Sequence, residues 1–207
     1  MPPKATKVRA DKHASAIKDS HTPAKPMNDP LLTTPLFSVE HRVCTTRDGA
    51  RVERDVVVHP GAVVILPLLA DGRVVMIRNY RFSIGKRLLE LPAGTREPGE
   101  SPIETARREL EEETGYRAAR VEPLIEFYTS PGVMTERMFA FTATEISEVG
   151  QRLTDTERID VDVLDPAFVC ERVLSGDIED GKTIATLATY FLRYEVRNQP
   201  TEGGHHS

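Results

Sequence analysis

Three observations predict an α+β fold with a mixed β-sheet. Apolar residues recur with a period of two from residue 37 to residue 91, and again between residues 121 and 164. One sharply bounded helix interrupts these strands after Ser101, and two more helical stretches close the chain. Strands around one central helix, with helices gathered at the end, read as α+β.

Taking the elements in order, residues 1–30 carry six Lys or Arg against three Asp and show no hydrophobic period. That composition predicts a disordered basic extension. The segment has no apolar stretch of the secretory kind, and its lone Arg9 makes a poor transit peptide. Phe37–Thr45 and Val52–His59 alternate and are split by Arg47-Asp48-Gly49, a hairpin signal. Ala62–Leu69 and Arg73–Tyr80 form a second pair across Ala70-Asp71-Gly72, and Arg87–Leu91 is a short strand leading to Gly94. Beyond the helix come strands at Val121–Tyr128, Met138–Thr144 and Ile159–Leu164, then helices at Pro166–Leu174 and Lys182–Arg197. Residues 31–198 therefore form one domain, and 199–207 a short disordered tail.

The composition, 39% hydrophobic and 29% charged over 207 residues, is that of a soluble globular protein with enough apolar residues for a core. The net charge is −5 although the first 30 residues are positive, so the body is acidic and lacks the basic footprint of a nucleic-acid binder. The longest apolar run, Gly61–Ala70, is too short to span a membrane. Cys44 and Cys170 lie far apart without metal-ligand spacing, as expected of small hydrophobes in a reducing, cytoplasmic setting.

The central helix carries the chemistry. Ser101 can cap it, Pro102 suits its first turn, Glu104 completes a capping box and Gly115 stops it. Ile103, Ala106 and Leu110 mark an apolar face, while Glu109, Glu112 and Glu113 fall at i, i+3 and i+4 on a neighbouring one. Carboxylates bunched in this way repel, which raises their pKa values unless cations occupy the site. Hard divalent cations are the natural counter-charge, and Mg²⁺ suits a phosphate substrate.

Read with its flanks, the stretch is Gly94-x5-Glu100-x7-Arg108-Glu109-Leu110-x-Glu112-Glu113-x-Gly115-Tyr116. It resembles the Nudix box at every fixed position; only Tyr116 is aromatic where an aliphatic is more usual. Seven specified residues would coincide by chance in a chain of this length with a probability on the order of one in a million. The resemblance implies a Nudix-type α/β/α sandwich. The flanks Arg78-Asn79-Tyr80-Arg81, Leu89-Glu90-Leu91-Pro92-Ala93-Gly94 and Ser130-Pro131-Gly132 look like those of the ADP-ribose pyrophosphatase subfamily, over roughly residues 37–197.

The resemblance implies metal ligands at Glu109, Glu112, Glu113 and the backbone carbonyl of Ala93, with Mg²⁺ as the cofactor and Mn²⁺ as a substitute. Arg81 and Arg78, at a strand end, are the candidates to hold phosphate oxygens, with Pro131 as a further substrate-site position. Glu90 is open between a contact to substrate or metal and a structural hydrogen bond at the turn. Glu100 and Arg108 are expected to pair and brace the loop against the helix. The subfamily places a general base in a loop that matches Glu157, with Asp155 as the alternate and Glu112 as a competing choice. It also implies a homodimer in which the hairpin of residues 37–59 reaches a second subunit.

Gly176-Asp177-Ile178-Glu179-Asp180-Gly181-Lys182-Thr183 matches the P-loop pattern, but it follows a helix and holds three acids that would repel phosphate. Gly176 is read as ending one helix, and Lys182-Thr183 as opening the next. The expected activity is hydrolysis of the pyrophosphate of ADP-ribose or a related nucleoside diphosphate sugar, giving AMP and ribose 5-phosphate from ADP-ribose. The alternatives are a Nudix-fold nucleotide-sugar sensor and a hydrolase of another nucleoside diphosphate derivative; sensors of that kind often lose box carboxylates, and here all are present.

Overall fold

A computed structural model describes residues 29–153 and 158–198, with side chains as far as residue 193. The expected extension (apart from Asp29 and Pro30) and the tail at 199–207 lie outside the described residues. The elements run β1 (Leu32–Thr33), β2 (Ser38–Thr45), β3 (Arg51–Val58), β4 (Ala62–Pro67), β5 (Val74–Arg81), β6 (Lys86–Glu90) and β7 (Ala93–Thr95). After these come α1 (Pro102–Thr114), β8 (Tyr116–Tyr128), β9 (Arg137–Glu148), β10 (Ile159–Leu164), α2 (Pro166–Ser175) and α3 (Gly181–Asn198).

The central sheet has the order β7-β4-β9-β8. It is mixed because β4 runs parallel to β9, whereas β4–β7 and β8–β9 are antiparallel. β4 is buried along its whole length, so it reads as an unbroken apolar run and not as an alternating one. Its residues still divide by parity. Val63 and Ile65 pack with Ala106 and Leu110 of α1. Ala62, Val64 and Leu66 pack on the opposite face with Val74 and Met76 of β5, Val169 of α2 and Leu187 of α3. Each fully buried aliphatic of this kind contributes about 1.5–3 kcal/mol over an exposed one. The layering is that of the expected sandwich, with α1 on one side and α2, α3 and the β10-β5-β6 sheet on the other.

The antiparallel sheet β1-β2-β3 stands apart, and none of its side chains is buried. The Val57 amide donates to the Val133 carbonyl at 3.0 Å, and the Thr135 amide to the Val57 carbonyl at 2.9 Å. Two short strands, β1 and β7, have no counterpart in the sequence pattern, and β8 begins at Tyr116, directly behind the helix and not at Val121.

Candidate active site

α1 forms where its caps place it. The Ser101 hydroxyl accepts from the Glu104 amide at 3.4 Å, and the Glu104 carboxylate accepts from the Ser101 amide at 2.9 Å. Gly115 closes the helix at φ 72°, and its amide donates to the Glu111 carbonyl at 3.0 Å. Ala106 and Leu110 are fully buried, but Ile103, expected on the same face, stays 39% exposed in the first turn. Thr105, Glu109 and Glu113 are buried in its place.

That rotation brings acid into a confined space. Glu109 and Glu113 are only 8% and 5% exposed, and Glu112 is half-exposed. The Glu113 carboxylate accepts from the Ala93 amide at 2.8 Å, which fixes the β7 turn against α1. A Cβ on Gly94 would lie 1.9 Å from the nearer Glu109 carboxylate oxygen. Gly94 is thus a glycine because a carboxylate fills the space of its missing side chain. Arg108 collects the acids: it donates to Glu109 at 2.8 Å, to Glu112 at 3.0 Å, and to both oxygens of Glu100 at 3.0 Å. The Arg108 bond, helped by the Thr105 hydroxyl, holds the Glu100 carboxyl down at about 2 despite partial desolvation, and Glu100 in turn raises Arg108. Among the described residues, no three acidic, His or Cys side chains are already drawn in around one point. The donor set nevertheless suits a hard divalent cation: Glu109 and Glu113 meet the Ala93–Gly94 turn, which comes close enough to exclude a Cβ, and Glu112 stands beside them on the same helix.

A cleft of about 680 Å³ opens beside this turn, lined among others by Arg81, Glu90, Ala93, Tyr128, Glu136 and Lys182. Glu90 is fully buried. It accepts from Arg81 Nε at 2.8 Å and Nη2 at 2.5 Å, and from Lys182 Nζ at 2.5 Å. The structural half of its open assignment is therefore present, in a carboxylate that also lines the cleft. The Glu90 bond raises the Arg81 pKa against the opposing effect of burial.

Arg78 does not reach this cleft. Arg78 and Arg81 are three residues apart on β5, which sends their side chains to opposite faces. Arg78 pairs with Asp162 of β10 at 2.6 Å. Pro131 is exposed, two residues beyond Thr129 on the cleft wall. Asp155 and Glu157 lie outside the described residues, but the approach to them is well defined. The Val149 amide donates to the Gly115 carbonyl at 2.7 Å, Gln151 Nε2 to the Glu113 carbonyl at 2.7 Å, and the Arg152 amide to the Glu112 carbonyl at 3.0 Å. Sequence reasoning misses Lys182, Asp180 and Glu136 as cleft residues. The first two sit in the P-loop-like stretch, so the sequence does carry a signal there, though not the one of a nucleotide-binding loop.

Residues 58–186 match the family model of the NUDIX domain. The chain belongs to the Nudix family. It is 38% identical over 154 residues to the ADP-ribose pyrophosphatase of Bacillus subtilis, covering 73% of this chain and 83% of that one. The methanol dehydrogenase activator of Bacillus methanolicus is 36% identical over 150 residues, covering 72% and 80%. The GDP-mannose pyrophosphatase of Yersinia pestis is 34% identical over 138 residues, covering 61% and 68%. A solved ADP compounds hydrolase superposes with a TM-score of 0.73 at 22% identity, over 86% of this chain and 98% of that one, and so shares the fold. This Nudix chain is an ADP-ribose pyrophosphatase-like hydrolase.

Proposed function

We propose that this Nudix hydrolase uses Mg²⁺, with Mn²⁺ as a substitute, to cleave the pyrophosphate of ADP-ribose or a related nucleoside diphosphate sugar. From ADP-ribose and water the products are AMP and ribose 5-phosphate. The observation that carries the reading is the cleft itself, where the cationic Arg81–Lys182 edge adjoins the Ala93–Gly94 turn held against the box carboxylates.

Glu109, Glu112, Glu113 and the Ala93 carbonyl would hold the cation, which when bound polarises the diphosphate and lowers the pKa of water. Arg81, with two of its nitrogens committed to Glu90, offers the rest of its guanidinium to a phosphate oxygen. Arg108 and Glu100 keep the box acids at a fixed height on the helix. Glu157 accepts the proton of the attacking water, with Asp155 and Glu112 as the alternatives to be separated by experiment. Pro131 borders the substrate from the turn beyond Thr129.

A panel of ADP-ribose, GDP-mannose and other nucleoside diphosphate sugars with Mg²⁺, coupled to a phosphatase, tests the reading. Only cleaved substrate exposes phosphomonoesters, so phosphate release from ADP-ribose is expected. No release from any member of the panel sinks this substrate reading and leaves the sensor and the hydrolase of another nucleoside diphosphate derivative. The same reading takes the enzyme to be a cytoplasmic C2 homodimer, because the β1–β3 sheet buries none of its own side chains. Light scattering on the full chain and on a chain lacking residues 1–28 should give twice the monomer mass for both; a monomer overturns it.

A further inference from the structure

The Lys182-Thr183 pair opens a helix that follows another helix, without the strand of a P-loop; Lys182 borders the cleft, and the contacts of the pair are specific. Gly176 ends α2 at φ 81°, and Asp180 caps α3 by accepting from the Thr183 amide at 3.0 Å. The fully buried Thr183 hydroxyl accepts from the Leu91 amide at 2.9 Å. Lys182 Nζ, largely withdrawn from solvent, lies 2.5 Å from Glu90 and 2.9 Å from Asp180. The first turn of α3 therefore grips two consecutive residues of the segment that ends in Ala93, one through a side chain and one through the backbone.

Charge explains why a lysine is needed. Glu90 and Asp180 bring two negative charges to the cleft edge, and Arg81 and Lys182 bring two positive ones. Without Lys182 the cluster is net negative, and Arg81 becomes the sole cation within it. Its field is then spent on Glu90 and Asp180, where a diphosphate would otherwise feel it. A buried carboxylate that loses one of two cationic partners also holds the other more tightly. Lys182 need not touch substrate to matter.

We infer that Lys182 is a positioning residue for the diphosphate: it neutralises Glu90 so that Arg81 stays available to the substrate. The inference rests on the hydrolase reading for the identity of the substrate, but not for the binding of a diphosphate. Because Arg81 would hold the phosphate in ground and transition states alike, the effect should fall on KM and not on kcat.

The test measures steady-state kinetics with ADP-ribose, and calorimetric affinity for ADP with Mg²⁺, on wild type, Lys182→Met and Lys182→Arg. Lys182→Met should raise both KM and the ADP Kd by about tenfold while kcat changes less than about threefold. Lys182→Arg, which keeps the charge, should return both to within about threefold of wild type. A purely structural role would lower the folded fraction, and so apparent kcat, with KM and Kd unmoved; that result overturns the inference, as does an Arg variant no better than Met. If Lys182→Met does not fold, the double variant Glu90→Gln/Lys182→Met removes the buried charge with its partner. Measured against Glu90→Gln alone, it should bind ADP within about threefold, because no buried carboxylate is left to neutralise; a further loss of about tenfold overturns the inference. Should wild type cleave no diphosphate sugar while Lys182→Met still weakens ADP, the substrate reading fails and the positioning role stands.

Discussion

The Ala93–Gly94 turn lies between two edges built on opposite principles. On the α1 edge, three carboxylates are crowded onto one helix, two of them nearly buried; Arg108 holds Glu109 and Glu112, and the Ala93 amide holds Glu113. On the α3 edge, two cations and two acids are interleaved so that charge cancels locally. The first arrangement stores unneutralised negative charge and suits a cation that takes part in bond breaking. The second is already balanced and suits the holding of a substrate. Damage to the α1 edge should therefore appear in kcat, and damage to the α3 edge in KM.

The largest expected effect is that of Glu157. Glu157→Gln keeps size and hydrogen bonding but removes the proton acceptor, so kcat should fall by about a hundred- to ten-thousandfold with substrate affinity little changed. Single-turnover rates beside Asp155→Asn decide it; a wild-type chemical rate for Glu157→Gln returns the base to Glu112 or to bound hydroxide. Next comes Glu112→Gln. Glu112 is half-exposed, so the fold should survive while kcat drops at least about a hundredfold. Near-normal turnover would remove the carboxylate edge from the chemistry. The same expectation of an innocuous change does not extend to Glu113, which is buried against the Ala93 amide and does not face a solvated cleft.

Gly94→Ala sharpens the contrast further. The new methyl meets the end of the Glu109 side chain, which can swing away, so melting should shift little while kcat falls by roughly tenfold or more. A variant with normal kcat would show that the Glu109 position is not needed. The smallest effect is on stability. The folded Glu100 pKa, about 2, lies below its ordinary 4.5, so folding favours the charged form. That contribution is complete above about pH 4.5 and fades as pH falls toward 2. The melting-temperature advantage of wild type over Glu100→Gln should therefore be largest near neutrality and shrink through that window. An advantage that grows on acidification would contradict the pairing.

What the sequence reveals and what it hides divide by distance along the chain. The capping box and the Gly115 stop involve residues three or four apart, and the helix they bound is legible to the residue. The parity of β5 is equally local, and it alone suffices to part Arg78 from Arg81. The Gly94–Glu109 contact spans fifteen residues and needs β7, which at three residues is too short to carry a period. The Lys182–Glu90 pair joins residues 92 apart and depends on how α3 docks, which no pattern within either segment reports. The start of β8 is hidden for a different reason. Arg117 to Arg120 is mostly exposed on the edge of its sheet, and only Ala118 there is buried, so no alternation marks the strand before Val121.

The carbonyls at the end of α1 have one more consequence. They clasp the backbone or side chains of Val149, Gln151 and Arg152, while on the far side Ile159 is laced in register to Asn79, two residues from Arg81. The chain thus leaves the carboxylate helix at Arg152 and rejoins the fold at Ile159, on the strand that pairs with the one bearing Arg81. The two charged edges share a border in sequence as well as in space, so a change of length between these anchors is a change made at both edges at once.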